Sequence, residues 1–114
     1  MKRDFLSIAD WSSGELEGIL DLSTRVKKEP GKFNTNLKGR SIALIFEKQS
    51  LRTHVTFDVG VYQLGAHPVY LTQADISLRQ RESIHDTAKN LERWVDGVVV
   101  RTFAHQTCVD LAAE

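Results

Sequence analysis

The apolar positions fall into short blocks whose spacing switches between a helical and an extended rhythm. Leu16, Ile19, Leu20 and Val26 share one helical face. Ahead of them Ser12-Ser13-Gly14-Glu15 reads as a capping box, with Ser12 at the cap and Glu15 three positions on. The polar stretch Lys27–Lys32, containing Pro30-Gly31, closes this helix, so it is predicted over about 12–28. Ser41–Phe46 is a continuous apolar run after Gly39, the pattern of a strand buried on both faces in a parallel sheet.

Between Arg52 and Leu64 two rhythms compete. Val55, Phe57, Val59 and Val61 alternate as in a strand, while Phe57, Val61 and Leu64 recur at helical spacing. The length favours a helix, with Gly65 as its C-terminal stop. Pro68–Leu71 is then a second strand, with Pro68 confined to its start. Thr72–Glu82 reads as a polar loop, and Ser83 with Asp86 caps a third helix that buries Ile84, Ala88, Leu91 and Val95. Val98–Val100 reads as a third buried strand, and His105–Glu114 begins another helix. Trp11, Phe57, Trp94 and Phe103 are expected in the core. A helix followed by β-α-β-α-β-α predicts an α/β fold: a parallel sheet flanked by helices, with right-handed crossovers.

Composition narrows the partners. The chain has 114 residues, with 15 Lys+Arg against 15 Asp+Glu and no net formal charge. That length suits one domain, 1–114. The charge balance argues against nucleic acid or an anionic membrane as the main partner, and leaves room for a local basic pocket. Cys108 is the single cysteine, so no internal disulfide forms, in keeping with a reducing compartment. No apolar run approaches the length of a membrane span, and Met1–Phe5 lacks the apolar segment of a secretory signal. The expectation is a soluble, cytoplasmic domain.

Candidate chemistry sits at the strand ends, where parallel sheets place ligands and helix N-termini point. Lys48-Gln49-Ser50-Leu51-Arg52-Thr53 follows the first strand, and Arg101 follows the third directly. Two hydroxyls, free backbone N–H groups and a forked guanidinium suit a phosphate dianion. Spacing alone equally allows Ser50 or Thr53 to be a plain helix cap and the arginines to be solvated. Glycine-rich nucleotide loops are absent from the sequence. His54, His67, His85 and His105 lack the paired spacing of metal ligands, so a metal site is not expected from them. Cys108 reads as a small residue on a helix, and no two carboxylates stand out as a general acid and base.

Phe46-Glu47-Lys48-Gln49-Ser50-Leu51-Arg52-Thr53-His54-Val55-Thr56-Phe57-Asp58 resembles the carbamoyl-phosphate signature of the aspartate/ornithine carbamoyltransferase family, F-E-K-x-S-[TLM]-R-T-R-x-S-F-E. Leu37–Ser41, Gln63–His67, Arg81–Ala88 and Val100–His105 resemble the flanking segments, so the likeness runs in order along nearly the whole chain. The Phe-Glu-Lys opening and Arg-Thr-Phe-Ala-His look more like the ornithine branch. The resemblance implies that Ser50, Leu51 (through its backbone), Arg52 and Thr53 cradle the phosphate of carbamoyl phosphate. It implies that Arg52 also stabilises charge on the reacting group, and that Arg101 contacts the carbamoyl-oxygen side. The implied parent transfers the carbamoyl group to ornithine as a homotrimer, without metal or organic cofactor, and makes citrulline for arginine biosynthesis.

The sequence departs from that pattern in several places. His54 replaces an arginine and Asp58 a glutamate, predicting an i, i+4 His–Asp pair of structural role. Gln49 replaces a common proline, and Ser77 stands where many ornithine enzymes carry a glutamine that reaches a neighbouring subunit's site. The H-P-x-Q element and the acceptor-binding domain, with its D-x-x-x-S-M-G and H-C-L-P elements, are missing. The expectation is therefore the truncated amino-terminal carbamoyl-phosphate domain of a two-domain transferase, inactive alone, with ornithine bound by the missing domain. Other amine acceptors (aspartate, putrescine, acetylornithine) and a short non-catalytic binding or assembly module remain alternatives.

Overall fold

Ser41–Phe46 (β1) is the central strand of the sheet, and every other element is arranged around it. The computed structural model describes residues 3–47, 50–72 and 81–114, with the side chains of 81–83 excepted. After a 3-10 turn at Ile8–Asp10 the order is α1 (Ser13–Lys28), a second 3-10 turn (Pro30–Lys32), β1, α2 (Leu51–Gln63), β2 (His67–Leu71), α3 (Arg81–Trp94), β3 (Gly97–Arg101) and α4 (His105–Ala113). The three strands are parallel in the order β2-β1-β3.

Alternation along β1 sorts the core into two layers, because successive side chains point to opposite faces. Ala43 and Ile45 meet Ile84 and Leu91 of α3, with Leu111 of α4 against them. Leu44 and Phe46 face the other way, onto Val61 of α2 and onto Ala66. The run is apolar throughout because both faces are covered. Replacing Leu44 by alanine costs about 2–5 kcal/mol at such a site.

The predicted capping box is present: Glu15 N–H donates to Ser12 Oγ at 3.1 Å, and Ser12 N–H donates to Glu15 Oε1 at 3.0 Å. Gly65 ends α2 as expected, at φ +94°. Its N–H reaches Tyr62 O at 2.9 Å and the next N–H, of Ala66, reaches Val61 O at 3.1 Å, the paired closure of a Schellman cap. A Cβ on Gly65 would stand 2.6 Å from Asn34 O, so glycine is required twice over.

Several expectations are corrected. Helix α3 spans Arg81–Trp94, so Ser83 lies within it and not at a cap ahead of it; of the loop expected over 72–82, residues 73–80 lie outside the described residues. Strand β2 begins at His67, so Pro68 is its second residue; on an edge strand the missing N–H costs no central ladder bond. The aromatic residues are the largest miss. Trp94 is 71% exposed, Phe103 61% and Phe57 39%, while Trp11 is half-buried, stacked on Phe5 under the Arg3 guanidinium. Ile19 and Leu20 of α1 and Val98 of β3 are exposed as well. Val98 lies on an edge strand, and Ile19, Leu20 and Phe57 lie on sides of α1 and α2 that are exposed, while Trp94 is the last residue of α3 and Phe103 lies in the connection from β3 to α4.

The β3 edge opens onto a groove of about 830 Å³. Leu91 of α3, Leu111 of α4, Phe57 of α2 and Leu6 are among the residues that line it.

Candidate functional site

The strand order reverses direction at β1: the chain leaves it through α2 to β2 on one side, then returns through α3 to β3 on the other. Such a switch point leaves a crevice at the carboxyl ends of the two strands. Phe46 and Arg101 are register partners there, so the connection after β1 and the connection after β3 open side by side.

Ser50 takes the N-cap position of α2, and its carbonyl accepts from His54 N–H at 2.9 Å. Its hydroxyl does not cap the helix. It donates to Thr53 Oγ1 at 3.2 Å, and Arg101 Nη1 donates to the same oxygen at 3.0 Å. Thr53 Oγ1 is thus an acceptor twice over, which leaves its own proton to donate to a third group. With no side-chain cap among the described residues, the first-turn N–H groups of α2 keep their capacity for an anion. The plain-cap reading of Ser50 is therefore excluded.

Arg52 stands exposed in that first turn, and none of the described side chains forms an ion pair with it. Ser50, Leu51, Arg52 and Thr53 come together with Arg101 at one end of the sheet because β1 and β3 are paired neighbours. Lys48, Gln49 and Ser77 lie outside the described residues.

Two further residues shape the site. His54 approaches Asp58 at 3.5 Å, the expected i, i+4 pair. Its ring also stacks on Tyr70 of β2, 3.7 Å between centroids and 11° between planes, with Phe46 edge-on to both. This aromatic cluster holds the first turn of α2 against the sheet. Glu47, buried immediately after β1, donates its N–H to Arg101 O at 2.8 Å and accepts Phe103 N–H on Oε1 at 3.2 Å. Its signal in the sequence is a charged residue directly closing an apolar strand, the position where burial demands a partner.

Cys108 lies half-buried on α4, 3.1 Å from Thr102 Oγ1. Among the described residues no three His, Cys, Asp or Glu side chains cluster to hold a metal, and no helix is long and apolar enough to cross a membrane.

Residues 3–114 match the family model described as aspartate/ornithine carbamoyltransferase, carbamoyl-P binding domain. The chain belongs to the aspartate/ornithine carbamoyltransferase family. Among curated members it is 50% identical over 110 residues to the ornithine carbamoyltransferase of Deinococcus radiodurans, covering 96% of this chain and 36% of that protein. It is 43% identical over 112 residues to the Thermus thermophilus enzyme of the same name, covering 98% of this chain and 37% of that one.

Solved carbamoyltransferase structures agree in fold. The ornithine carbamoyltransferase from Thermus thermophilus superposes with a TM-score of 0.86 at 41% identity, covering 99% of this chain and 39% of that one. The Pyrococcus furiosus enzyme gives 0.89 at 37% identity, covering 97% and 36% respectively. This carbamoyltransferase-family chain thus spans a little over a third of the relatives it matches.

Proposed function

We propose that the chain forms the carbamoyl-phosphate site of an ornithine carbamoyltransferase, whose reaction converts carbamoyl phosphate and L-ornithine to L-citrulline and phosphate. The observation that carries the reading is the convergence of Arg101 and Ser50 on Thr53 Oγ1 at the open first turn of α2. Phosphate binds through the Ser50 and Thr53 hydroxyls, the first-turn backbone including Leu51, and the Arg52 fork. Arg101 lies toward the carbamoyl oxygen.

In the reaction the δ-amino nitrogen of ornithine attacks the carbamoyl carbon. The bond from that carbon to the bridging oxygen breaks, phosphate leaves with the electron pair, and the nitrogen loses a proton. Negative charge grows on the carbamoyl oxygen and then on the leaving phosphate. Fixed donors, Arg52 above all, stabilise it because they are already oriented before charge develops. The remainder of the effect is positioning, and the chemistry requires no metal or organic cofactor.

Ornithine is held by protein beyond this chain, and the 114 residues alone are inactive. The full-length protein assembles as a homotrimer, a reading supported by the exposed stripe Leu51, Val55, Val59 and Tyr62 along α2. It acts in the cytoplasm, in arginine biosynthesis. A Campylobacter jejuni relative, 31% identical, is described as an anabolic ornithine carbamoyltransferase, which supports that direction. The test is an assay of the full-length protein with carbamoyl phosphate and a panel of amines. Ornithine is expected to lead aspartate, putrescine and acetylornithine by about a hundredfold or more. A preference for another amine replaces the acceptor, and no turnover with any amine contradicts the reading.

A further inference from the structure

The anion site is built from two connections that are far apart in sequence, the one after β1 and the one after β3. Glu47 touches both. It lies three residues before Ser50, its N–H holds Arg101 O at 2.8 Å, and its Oε1 holds Phe103 N–H at 3.2 Å. The two bonds bracket Thr102, so the segment carrying Arg101 is tied on both sides of that residue to the start of the β1–α2 connection. The Thr102 hydroxyl, by contrast, bonds Ala104 O at 2.7 Å and contacts Cys108, within its own connection. Those contacts shape the turn and leave its place relative to Ser50 and Thr53 unfixed.

We propose that Glu47 is the positioning residue of the site: by clamping Arg101–Phe103 it sets the reach of the Arg101 guanidinium to Thr53 Oγ1. The side chain acts through an accepted backbone N–H, so what it must supply is a buried acceptor at that point. Glutamine retains a carbonyl oxygen there, and leucine of similar size does not. Asp96 provides the comparison at the opposite end of the same strand pair, where it accepts Ser41 N–H at 2.9 Å without touching the site.

The test is nuclear magnetic resonance of the full-length protein, with inorganic phosphate and carbamoyl phosphate as titrants. The ligand arm rests on the functional reading above; the ligand-free arm does not. Without ligand, Glu47→Leu is expected to speed exchange of the Phe103 amide and to collapse the Arg101 side-chain N–H signal toward the solvent-averaged position. Glu47→Gln is expected to restore both, and Asp96→Asn to leave the Arg101 signal in place. With ligand, Glu47→Leu weakens binding about tenfold while Glu47→Gln stays within about threefold. An Arg101 signal and a ligand affinity unchanged in Glu47→Leu overturn the proposal. Equal loss of the Arg101 signal in Glu47→Leu and Asp96→Asn overturns it too, since the effect is then general loosening. A normal ligand-free response with no ligand binding by the unsubstituted full-length protein counts against the phosphate reading and leaves the clamp standing.

Discussion

Arg101, the last residue of β3, donates to Thr53 Oγ1 in the first turn of α2 across 48 residues of sequence. The contact joins the two halves of the candidate anion site before any ligand arrives. Thr53→Val keeps the shape of the side chain and removes the shared acceptor. Carbamoyl phosphate affinity is expected to fall about tenfold, with the unfolding free energy changing by no more than about 1.5 kcal/mol. Calorimetric titration alongside urea unfolding checks this, and unaltered affinity contradicts the role of Thr53.

The stack of His54 on Tyr70 and the contact of His54 with Asp58 separate cleanly by substitution. His54→Ala removes the ring packing between α2 and the sheet and is expected to cost about 1–2 kcal/mol. Asp58→Asn removes only a partly exposed pair and is expected to cost about 0.5 kcal/mol or less. Equal losses in urea unfolding contradict the assignment of the packing to Tyr70.

Acid sensitivity follows from two exposed carboxyls. Hydrogen bonds from Arg3 first, and then from the Ser12 backbone, pull Glu15 down to about 2. The Ser41 N–H, with Arg40 behind it, holds Asp96 below the ordinary carboxylate range. Both folded-state values are depressed, so each contribution is complete above the unfolded value near 4 and is lost as pH falls through the folded one. Asp96→Asn and Glu15→Gln are expected to flatten the acid limb of stability below about pH 4. The unfolding midpoint measured against pH tests this; an unchanged slope in both variants contradicts it.

Exposed apolar surface predicts self-association of the 114-residue chain. The α2 stripe and the open β3 edge each offer a face of the kind that isolated domains bury. Sedimentation velocity is expected to show concentration-dependent association, weakened by Val59→Lys on the stripe. A strictly monomeric chain at all concentrations contradicts both surfaces.

Local signals were the most legible part of the sequence. Ser12 with Glu15, Gly65, and the apolar run of β1 each depend on a few adjacent residues and appear where the spacing puts them. Ser50–Thr53 and Arg101 are legible as strand-end residues, and the pairing of β1 with β3 is what brings them together. The failures share a cause: periodicity says which residues share a face, and says nothing of whether a face is covered. Trp94, Phe103 and Phe57, expected in the core, therefore lie outward. Long-range polar links were equally invisible, because the partners of Glu47 and Thr53 are fixed only when β1 and β3 align. The use of the Ser50 hydroxyl on Thr53, in place of the helix N-terminus, belongs to the same class.

The central claim is that the first turn of α2 binds the phosphate of carbamoyl phosphate, with Arg52 as its principal cation. The most direct measurement is thermal unfolding of the full-length protein over a carbamoyl phosphate or phosphonoacetate titration, for the natural sequence and for Arg52→Ala. A ligand that binds only the folded state stabilises it by RT ln(1 + L/Kd), where L is the free ligand concentration, so the melting temperature climbs with the logarithm of that concentration once the site is saturated. The natural protein is predicted to be protected progressively and Arg52→Ala to show no protection; undiminished protection in Arg52→Ala would contradict the account.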